Sequence, residues 1–365
     1  MPDLLKDMFN QDSLRKLALD VQTVYGDFQA DEFLRSAMDE TWDDLELKAR
    51  VRRVSTSLGR HLTSDYGSDI AILDKVVAKH PGFLGTVFPD FVEVYGQDES
   101  DWEISMGALE RYTRYSSSEF AVRPFIIEQE ERMMAQMYAW SKHENEHVRR
   151  LSSEGCRPQL PWGQALPKYK KDPTPVLPIL EQLKADPSLY VRKSVANNLN
   201  DISKTHPDTV IKLAKGWYGK NDRTDWIVKQ GCRTLLKKGN PEALAIFGYR
   251  DKASTDITDF AQSAPSASIG EDMTFSFSIR AKEQTKVRLE YGIDYVKANG
   301  NRNRKIFQIS EVTLKKNEEK TYVRNHSFKD MTTRKHYPGM HSIALIVNGV
   351  ECGKLDFELN PRSGP

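Results

Sequence analysis

Val148-Arg149-Arg150-Leu151-Ser152-Ser153-Glu154 returns, loosely, as Val191-Arg192-Lys193-Ser194-Val195-Ala196-Asn197 and as Val228-Lys229-Gln230-Gly231-Cys232-Arg233-Thr234, at separations of 43 and 37 residues. Those spacings fall in the range of HEAT-type helical pairs, where each unit buries its apolar face against its neighbours. Aligned on the valines, the positions two and six residues further on pair Arg150 with Glu154, Lys193 with Asn197 and Gln230 with Thr234. Each pair is four residues apart and shares one helix face. Continuing by four more residues reaches Asp201 and Lys238, which predicts a continuous polar row lining a concave surface.

The helical texture extends outward from there. From Leu4 to about Tyr249 apolar residues recur every three or four positions, as in Val176, Leu177, Ile179, Leu180 and Leu183, and no strand is read. His80-Pro81-Gly82, Asp172-Pro173, Asp186-Pro187, His206-Pro207 and Gly239-Asn240-Pro241 punctuate it, each stopping one helix or opening the next. After Asp251 a small, polar run through Ser268 leads into strict alternation in Met273-Thr274-Phe275-Ser276-Phe277-Ser278-Ile279. Further β-rich runs lie at Val287 to Val296, Ile306 to Leu314, Thr321 to Phe328, Ser342 to Val347 and Leu355 to Leu359, with Asn299-Gly300 and Asn348-Gly349 as turn signals. The expected fold is mainly α: a HEAT-like helical-repeat solenoid over 1–252, a linker over 253–268, and an all-β immunoglobulin-like sandwich over 269–365. The sandwich rests on pattern alone, for no Cys, Trp, Cys trio is present.

The net charge of +1 conceals a segregation of sign along the chain. Residues 1–141 carry 15 Lys+Arg against 26 Asp+Glu, residues 142–255 carry 21 against 12, and residues 256–365 carry 17 against 14. The basic middle, which contains the repeats, predicts a polyanionic partner. With 39% hydrophobic and 29% charged residues the chain reads as a soluble globular protein, so disorder is not expected. Cys156, Cys232 and Cys352 are far apart and form no Cys-x-x-Cys pair, which fits a reducing cytoplasm better than a disulfide framework. The first residues lack a basic segment followed by an apolar run, and nowhere do eighteen apolar residues run together, so neither export nor membrane contact is expected.

His143-Glu144-Asn145-Glu146-His147 matches the His-Glu-x-x-His pattern of zinc peptidases. The residues that follow are Val148-Arg149-Arg150, with no third ligand and two charges that repel a dication. The segment reads instead as a solvated helix start in which Glu144 and Glu146 favour the helix dipole. No metal and no cofactor are expected.

Three stretches carry a more specific signal: Ser116-Ser117-Ser118-Glu119-Phe120-Ala121-Val122-Arg123-Pro124-Phe125; Arg149 to Gly163, which contains Glu154-Gly155-Cys156-Arg157-Pro158 and Leu160-Pro161-Trp162-Gly163; and Asn197-Asn198-Leu199-Asn200-Asp201-Ile202-Ser203. They resemble the AlkC subfamily of HEAT-like-repeat alkylbase DNA glycosylases, and the resemblance spans nearly the whole chain, including a C-terminal immunoglobulin-like domain. It implies hydrolysis of the N-glycosidic bond of N3-alkylated bases in DNA, chiefly 3-methyladenine and 3-methylcytosine, without swinging the nucleotide into a pocket. It further implies that the duplex is distorted and held by both the solenoid and the sandwich, and that the partner is double-stranded DNA. A monomer is expected, although no feature of the sequence fixes the oligomeric state.

The chemistry of the residues agrees with that implication. An N3-alkylated base is already cationic and leaves readily, so the remaining barrier is positive charge developing on the sugar and a water to trap it. Carboxylates suit both tasks, and an aromatic face suits the cation. By the resemblance Glu154 is the principal catalytic carboxylate, Glu119 a second acid, Asp201 a third, Trp162 the aromatic beside the damaged nucleotide, and Arg150 a phosphate holder near the lesion, with Arg157 a weaker candidate for that work. On the residues alone Glu154 also reads as a solvated partner of Arg150, Glu119 as a first-turn acid after a Ser116-Ser117-Ser118 cap, Asp201 as a cap, and Trp162 as a core anchor.

The basic complement reads as a backbone clamp. Arg149, Lys168, Lys170, Lys171, Arg192, Lys193, Lys229 and Arg233 follow the repeats and suit phosphates without reading sequence. Arg302 and Arg304 lie in a basic, asparagine-rich hairpin tip, Lys297 to Lys305, of a kind that enters a minor groove. A non-catalytic HEAT scaffold that binds nucleic acid would share this clamp and give Glu154 and Trp162 no special role.

Overall fold

The computed structural model describes residues 5–249, 254–331 and 334–362, so the boundary expected between 252 and 253 lies outside the described residues. The described residues form two compact units, one lying within 1–206 and 219–231 and the other within 207–218 and 232–365.

The first unit is helical. Its elements are α1 (Gln11–Val24), α2 (Ala30–Ala37), α3 (Leu47–His61), α4 (Tyr66–Asp74), α5 (Val87–Tyr95), α6 (Trp102–Tyr112), α7 (Val122–Glu128), α8 (Glu130–Trp140), α9 (Glu146–Glu154), α10 (Pro167–Lys171), α11 (Leu177–Leu183) and α12 (Leu189–Ile202), with α14 (Asp222–Gly231) after a segment of the second unit. Local chemistry sets their ends: the Asn10 side chain accepts from the Ser13 amide to open α1, whose buried stripe is Leu14, Leu17, Ala18 and Val21. The Ser116-Ser117-Ser118 run does not cap α7 as expected. Ser118 Oγ donates to the Leu109 carbonyl at 2.9 Å and Ser117 Oγ to Glu119, so both hydroxyls are used elsewhere.

The three repeat valines sit on α9, α12 and α14, all buried, and α12 packs against both of the others. Burying each is worth roughly 1.5–3 kcal/mol. Ser153 and Ser194 join hydroxyls at 2.7 Å between α9 and α12, and Asn198 Nδ2 donates to the Ser153 carbonyl at 2.8 Å. The residue after each of the first two valines has a structural task that its charge concealed. Arg149 donates to the carbonyls of His143 and Glu144 at 2.9 and 2.7 Å, and Arg192 to those of Asp186 and Pro187 at 2.8 Å each, so both reach back five and six residues to fasten the loop that enters their helix. The polar row is not continuous, because α14 ends at Gly231 and leaves Gln230 and Thr234 on separate helices.

The second unit combines α13 (Pro207–Trp217), α15 (Arg233–Lys237) and α16 (Pro241–Ile246) with eight strands. These are β1 (Thr255–Gln262), β2 (Ser266–Ser268), β3 (Asp272–Ala281), β4 (Thr285–Val296), β5 (Arg302–Leu314), β6 (Glu319–Ser327), β7 (Gly339–Val347) and β8 (Val350–Asn360). One sheet has the order β1-β3-β6 and the other β2-β8-β7-β4-β5. Their inner faces share a core of Phe275, Phe277, Ile279, Leu289, Ile293, Leu345, Phe357 and Leu359.

Residues 255–262 and 266–268, expected as linker, are strands. β1 pairs antiparallel with β3 and turns Ile257 and Phe260 toward the core across a register shift between Thr258 and Ala261, and that irregularity broke the alternation by which a strand is read. β2 pairs parallel with β8 over three residues, too short a run to show a period. Asn348 and Gly349, at φ of 47° and 78°, make the tight turn between β7 and β8. A Cβ on Gly349 would come within 2.6 Å of Gly239, so glycine is required there by space as well as by conformation.

Candidate active site

Within the first unit Glu119, Arg150, Glu154, Arg157 and Asp201 form one chain of ion pairs. Arg150 and Glu154 meet across a turn of α9 at 3.5 Å, as their four-residue spacing dictates, and Arg150 also pairs with Glu119 Oε2. Ser117 Oγ accepts from Arg150 at 2.8 Å and donates to the same Glu119 oxygen at 2.8 Å. Past the end of α9 the chain turns back, and Arg157 donates to Glu154 Oε1 at 2.6 Å and to Asp201 Oδ2 at 2.8 Å. Lys204 holds the other Asp201 oxygen at 2.8 Å.

Three carboxylates thus face three cations in a largely buried network, which favours fixed geometry over net charge. Burial draws the Arg157 guanidinium down, but Glu154 and Asp201 outweigh it and leave its pKa raised, so it stays charged. Both ion pairs of Glu154 engage Oε1, and neither engages Oε2. Glu154, only 5% exposed, lines a cleft of about 540 Å3 together with Glu119, Arg157, Phe83, Tyr190 and Trp162.

Trp162, 61% exposed, lines the same cleft. It occupies the third position of a turn in which the Gly163 amide donates to the Leu160 carbonyl at 3.1 Å, and its φ is 63°, left-handed backbone that a bulky side chain rarely adopts. The Phe83 ring meets it edge-on at 6.5 Å. Arg123, fully buried, donates to the carbonyl of Gly155 at 2.7 Å and to that of Gln164, and so fastens both ends of the segment that carries Trp162. Burial lowers its pKa to about 10, still high enough to keep the charge. On another wall Tyr190 has the Arg150 guanidinium 5.1 Å over its ring and the His147 imidazole edge-on at 5.5 Å.

The structure brings Glu119, Arg150, Glu154, Arg157 and Trp162 together. Asp201 does not line the cleft; both of its oxygens are engaged beneath it, so its contact with the site runs through Arg157. Arg149 is bound to Asp186 at 2.7 and 3.1 Å as well as to its two carbonyls, and Arg192 is likewise turned inward, so neither is presented as a clamp. Lys193 is exposed, Lys170 and Lys229 are half-buried, and Lys168 is exposed and pairs with Glu130. Arg233 is half-buried in the second unit.

In the sandwich, Arg304 is committed to Asp294 at 2.7 and 2.8 Å and to Glu351 at 2.6 Å. Arg302 lines a groove of about 720 Å3 with Lys297, Lys305, Arg334, Lys335 and three asparagines, and no carboxylate is among its walls. Some loss of hydration, with the charges of Arg334 and Lys297 nearby, holds the exposed Lys305 ammonium below the ordinary lysine range.

His143 and His147 do not share a helical face. Asn145 caps α9, whose first residue is Glu146, and His143 lies before it with Nδ1 accepting from the Asn145 amide at 2.9 Å. Among the described residues no group of three or more His, Cys, Asp or Glu side chains is placed to hold a metal ion. Phe83, Tyr190 and the cleft-lining role of His147 were not read from the sequence. A signal existed: His147 and Tyr190 each immediately precede a repeat valine, outside the polar row that follows it.

Comparison with known proteins identifies the family. The model of the family described as DNA alkylation repair enzyme matches residues 115–235, which span the ion-pair chain and Trp162, and a model described as the C-terminal Ig-like domain of the uncharacterised protein YhaZ matches residues 256–361. The uncharacterized protein YhaZ of Bacillus subtilis (strain 168) is 51% identical over 355 residues, 97% of this chain and 99% of its own. The alkylpurine DNA glycosylase AlkC of Pseudomonas fluorescens, solved bound to DNA containing an abasic site analog, is 39% identical and superposes with a TM-score of 0.95, covering 98% of this chain and 100% of its own. The chain belongs to the AlkC family. It is therefore a DNA N-glycosylase with DNA as its partner, and the non-catalytic scaffold is set aside. Among the described residues no helix is long and apolar enough to cross a membrane.

Proposed function

We propose that this AlkC-family glycosylase excises cationic N3-alkylated bases, 3-methyladenine and 3-methylcytosine, from duplex DNA without extruding the nucleotide, and that it does so in the cytoplasm on the nucleoid. The observation that carries the reading is the placement of Glu154: a buried carboxylate with one oxygen fixed by Arg150 and Arg157 and the other engaged by neither, on the wall of a cleft shared with an exposed tryptophan.

The bond between C1′ and the base nitrogen breaks heterolytically. Its electron pair leaves with the base and cancels the base's positive charge, while C1′ and the ring oxygen of the sugar share the positive charge that remains. Glu154 and Glu119 stabilise that charge, water adds at C1′, and its proton passes to a carboxylate, leaving a neutral base and an abasic site. Fixed dipoles and charges of this kind need no reorganisation as the sugar becomes positive, which is the economy that buried ion pairs provide. Trp162 offers its face to the cationic lesion, a contact worth ~1–2 kcal/mol where water is excluded. An indole this exposed is accessible to a nucleotide that remains in the duplex.

Arg150 sits where it bridges both acids, and in this reading its remaining face meets a phosphate beside the lesion. The test is the spectrum of bases released from globally methylated duplex DNA. Release of 3-methyladenine and 3-methylcytosine, with a bulkier N3-alkyl adenine excised at a comparable rate, is expected. Release of neutral lesions in preference, or loss of activity with the bulkier group, contradicts the reading.

A further inference from the structure

Trp162 holds a conformation that its own side chain opposes. Left-handed backbone at a bulky residue costs on the order of 1–3 kcal/mol and persists only where the surroundings impose it. A Pro at the second position and an i to i+3 hydrogen bond favour this turn, yet its third position ordinarily takes glycine. The carbonyl of Trp162 itself is held from a distant part of the chain. Lys48, in the first turn of α3, donates from Nζ to that oxygen at 2.9 Å across 114 residues of sequence. Its ammonium also lies 5.0 Å from the centre of the Phe120 ring, which lines the same cleft.

The other end of that contact is fixed as well. Arg52, one turn along α3, donates to Asp90 at 3.0 Å and to Glu93 at 2.5 Å on α5, and Lys48, Asp90, Glu93, Phe120 and Trp162 line one small hollow behind the cleft. The two acids, themselves held by Arg52, attract the lysine head electrostatically across that hollow, and the head donates to the peptide that follows the indole.

We propose that Lys48 is a positioning residue for excision: it holds the Trp162 turn in its left-handed form and so aims the indole across the cleft toward Glu154. This rests on the reading of Trp162 as the aromatic that meets the lesion. Lys48 does not touch the substrate in this account, and its effect passes through Trp162.

The experiment is a double-mutant cycle with Lys48→Met, which keeps an apolar stem of similar length and removes the ammonium, and Trp162→Gly, which removes the indole and suits the turn. Single-turnover excision of 3-methyladenine from a duplex, DNA affinity with its salt dependence, and acrylamide quenching of tryptophan emission are measured for each full-length protein. Lys48→Met is expected to slow excision roughly tenfold with affinity and salt dependence unchanged. Lys48→Arg is expected to restore most of the rate, and Lys48→Met is expected to add nothing in the Trp162→Gly background. The same reduction in both backgrounds overturns the proposal, as does a defect confined to DNA affinity with a shallower salt dependence, which marks a phosphate contact. If Trp162→Gly excises at the wild-type rate, the reading of Trp162 fails, and quenching then judges Lys48 separately: the emission that Trp162→Gly removes must change its quenching in Lys48→Met, and unchanged quenching rejects the positioning role.

Discussion

Arg157 Nε and Asp201 Oδ2 lie 2.8 Å apart, both buried, so an acid that the repeat spacing sets on the groove face works instead from beneath it. Asp201→Asn leaves Arg157 paired on one side only, and breaking a buried pair in this way costs ~3 kcal/mol of stability. Excision is expected to fall less than in Glu154→Gln, because Asp201 steadies Arg157 rather than meeting the sugar. Denaturant unfolding and single-turnover rates on the same preparations check both halves.

Trp162→Gly separates stability from function. Replacing a large aromatic ordinarily destabilises, but this ring is 61% exposed and its backbone is left-handed, where glycine carries no steric cost. The Tm is expected to stay level or rise while excision of cationic bases falls. A clear drop in Tm indicates that the ring is a packing anchor after all.

Arg302, which donates to the Ser342 hydroxyl at 3.1 Å, and Lys305 line the basic groove of the sandwich, whereas Arg149 and Arg192 are held by backbone carbonyls. Replacing Arg302 and Lys305 by Ala is expected to lower the slope of log affinity against log salt by about 1 for each phosphate no longer neutralised, with stability kept. Arg149→Ala and Arg192→Ala are expected to leave that slope in place and lower Tm, since both arginines fasten loops inside the helical unit. Salt titrations of binding and thermal unfolding distinguish the two sets.

How far the sequence foretold this follows from which signals are local. The Val-basic repeat was legible because buried valines recur at the period of helix pairs, and the strands of the sandwich core were legible from alternation. The task of Arg149 and Arg192 was not, since a charge on a helix looks the same whether it meets a phosphate or a carbonyl six residues back. Glu119 lies outside the repeat row, and only the return of the chain before α7 brings it to Arg150. Lys48 gave no signal at all, because its contact with Trp162 exists only in the folded chain.

The sandwich carries a pH dependence of its own. His326 is buried between Tyr291 and Tyr295, whose hydroxyls lie 3.0 and 2.6 Å from its two ring nitrogens, and burial, with Arg334 and His336 adding to it, pulls its pKa from 6.5 to about 4. Burial lowers His336 and His341 as well. A depressed imidazole is neutral in the folded state while the unfolded chain takes up a proton. Between pH 6.5 and 4 the unfolded state therefore binds more protons, and stability falls as pH falls, by up to ~3 kcal/mol for His326. His326→Gln, which keeps one donor and one acceptor for the tyrosines, is expected to flatten that fall, as read by Tm against pH.

The most direct measurement is release of 3-methyladenine from methylated duplex DNA by Glu154→Gln, set beside its affinity for the same duplex. The amide keeps the shape of the side chain and removes the negative charge proposed to stabilise the sugar cation. The account predicts that release is abolished while binding persists. Release at the wild-type rate would remove Glu154 from the chemistry and contradict the central claim.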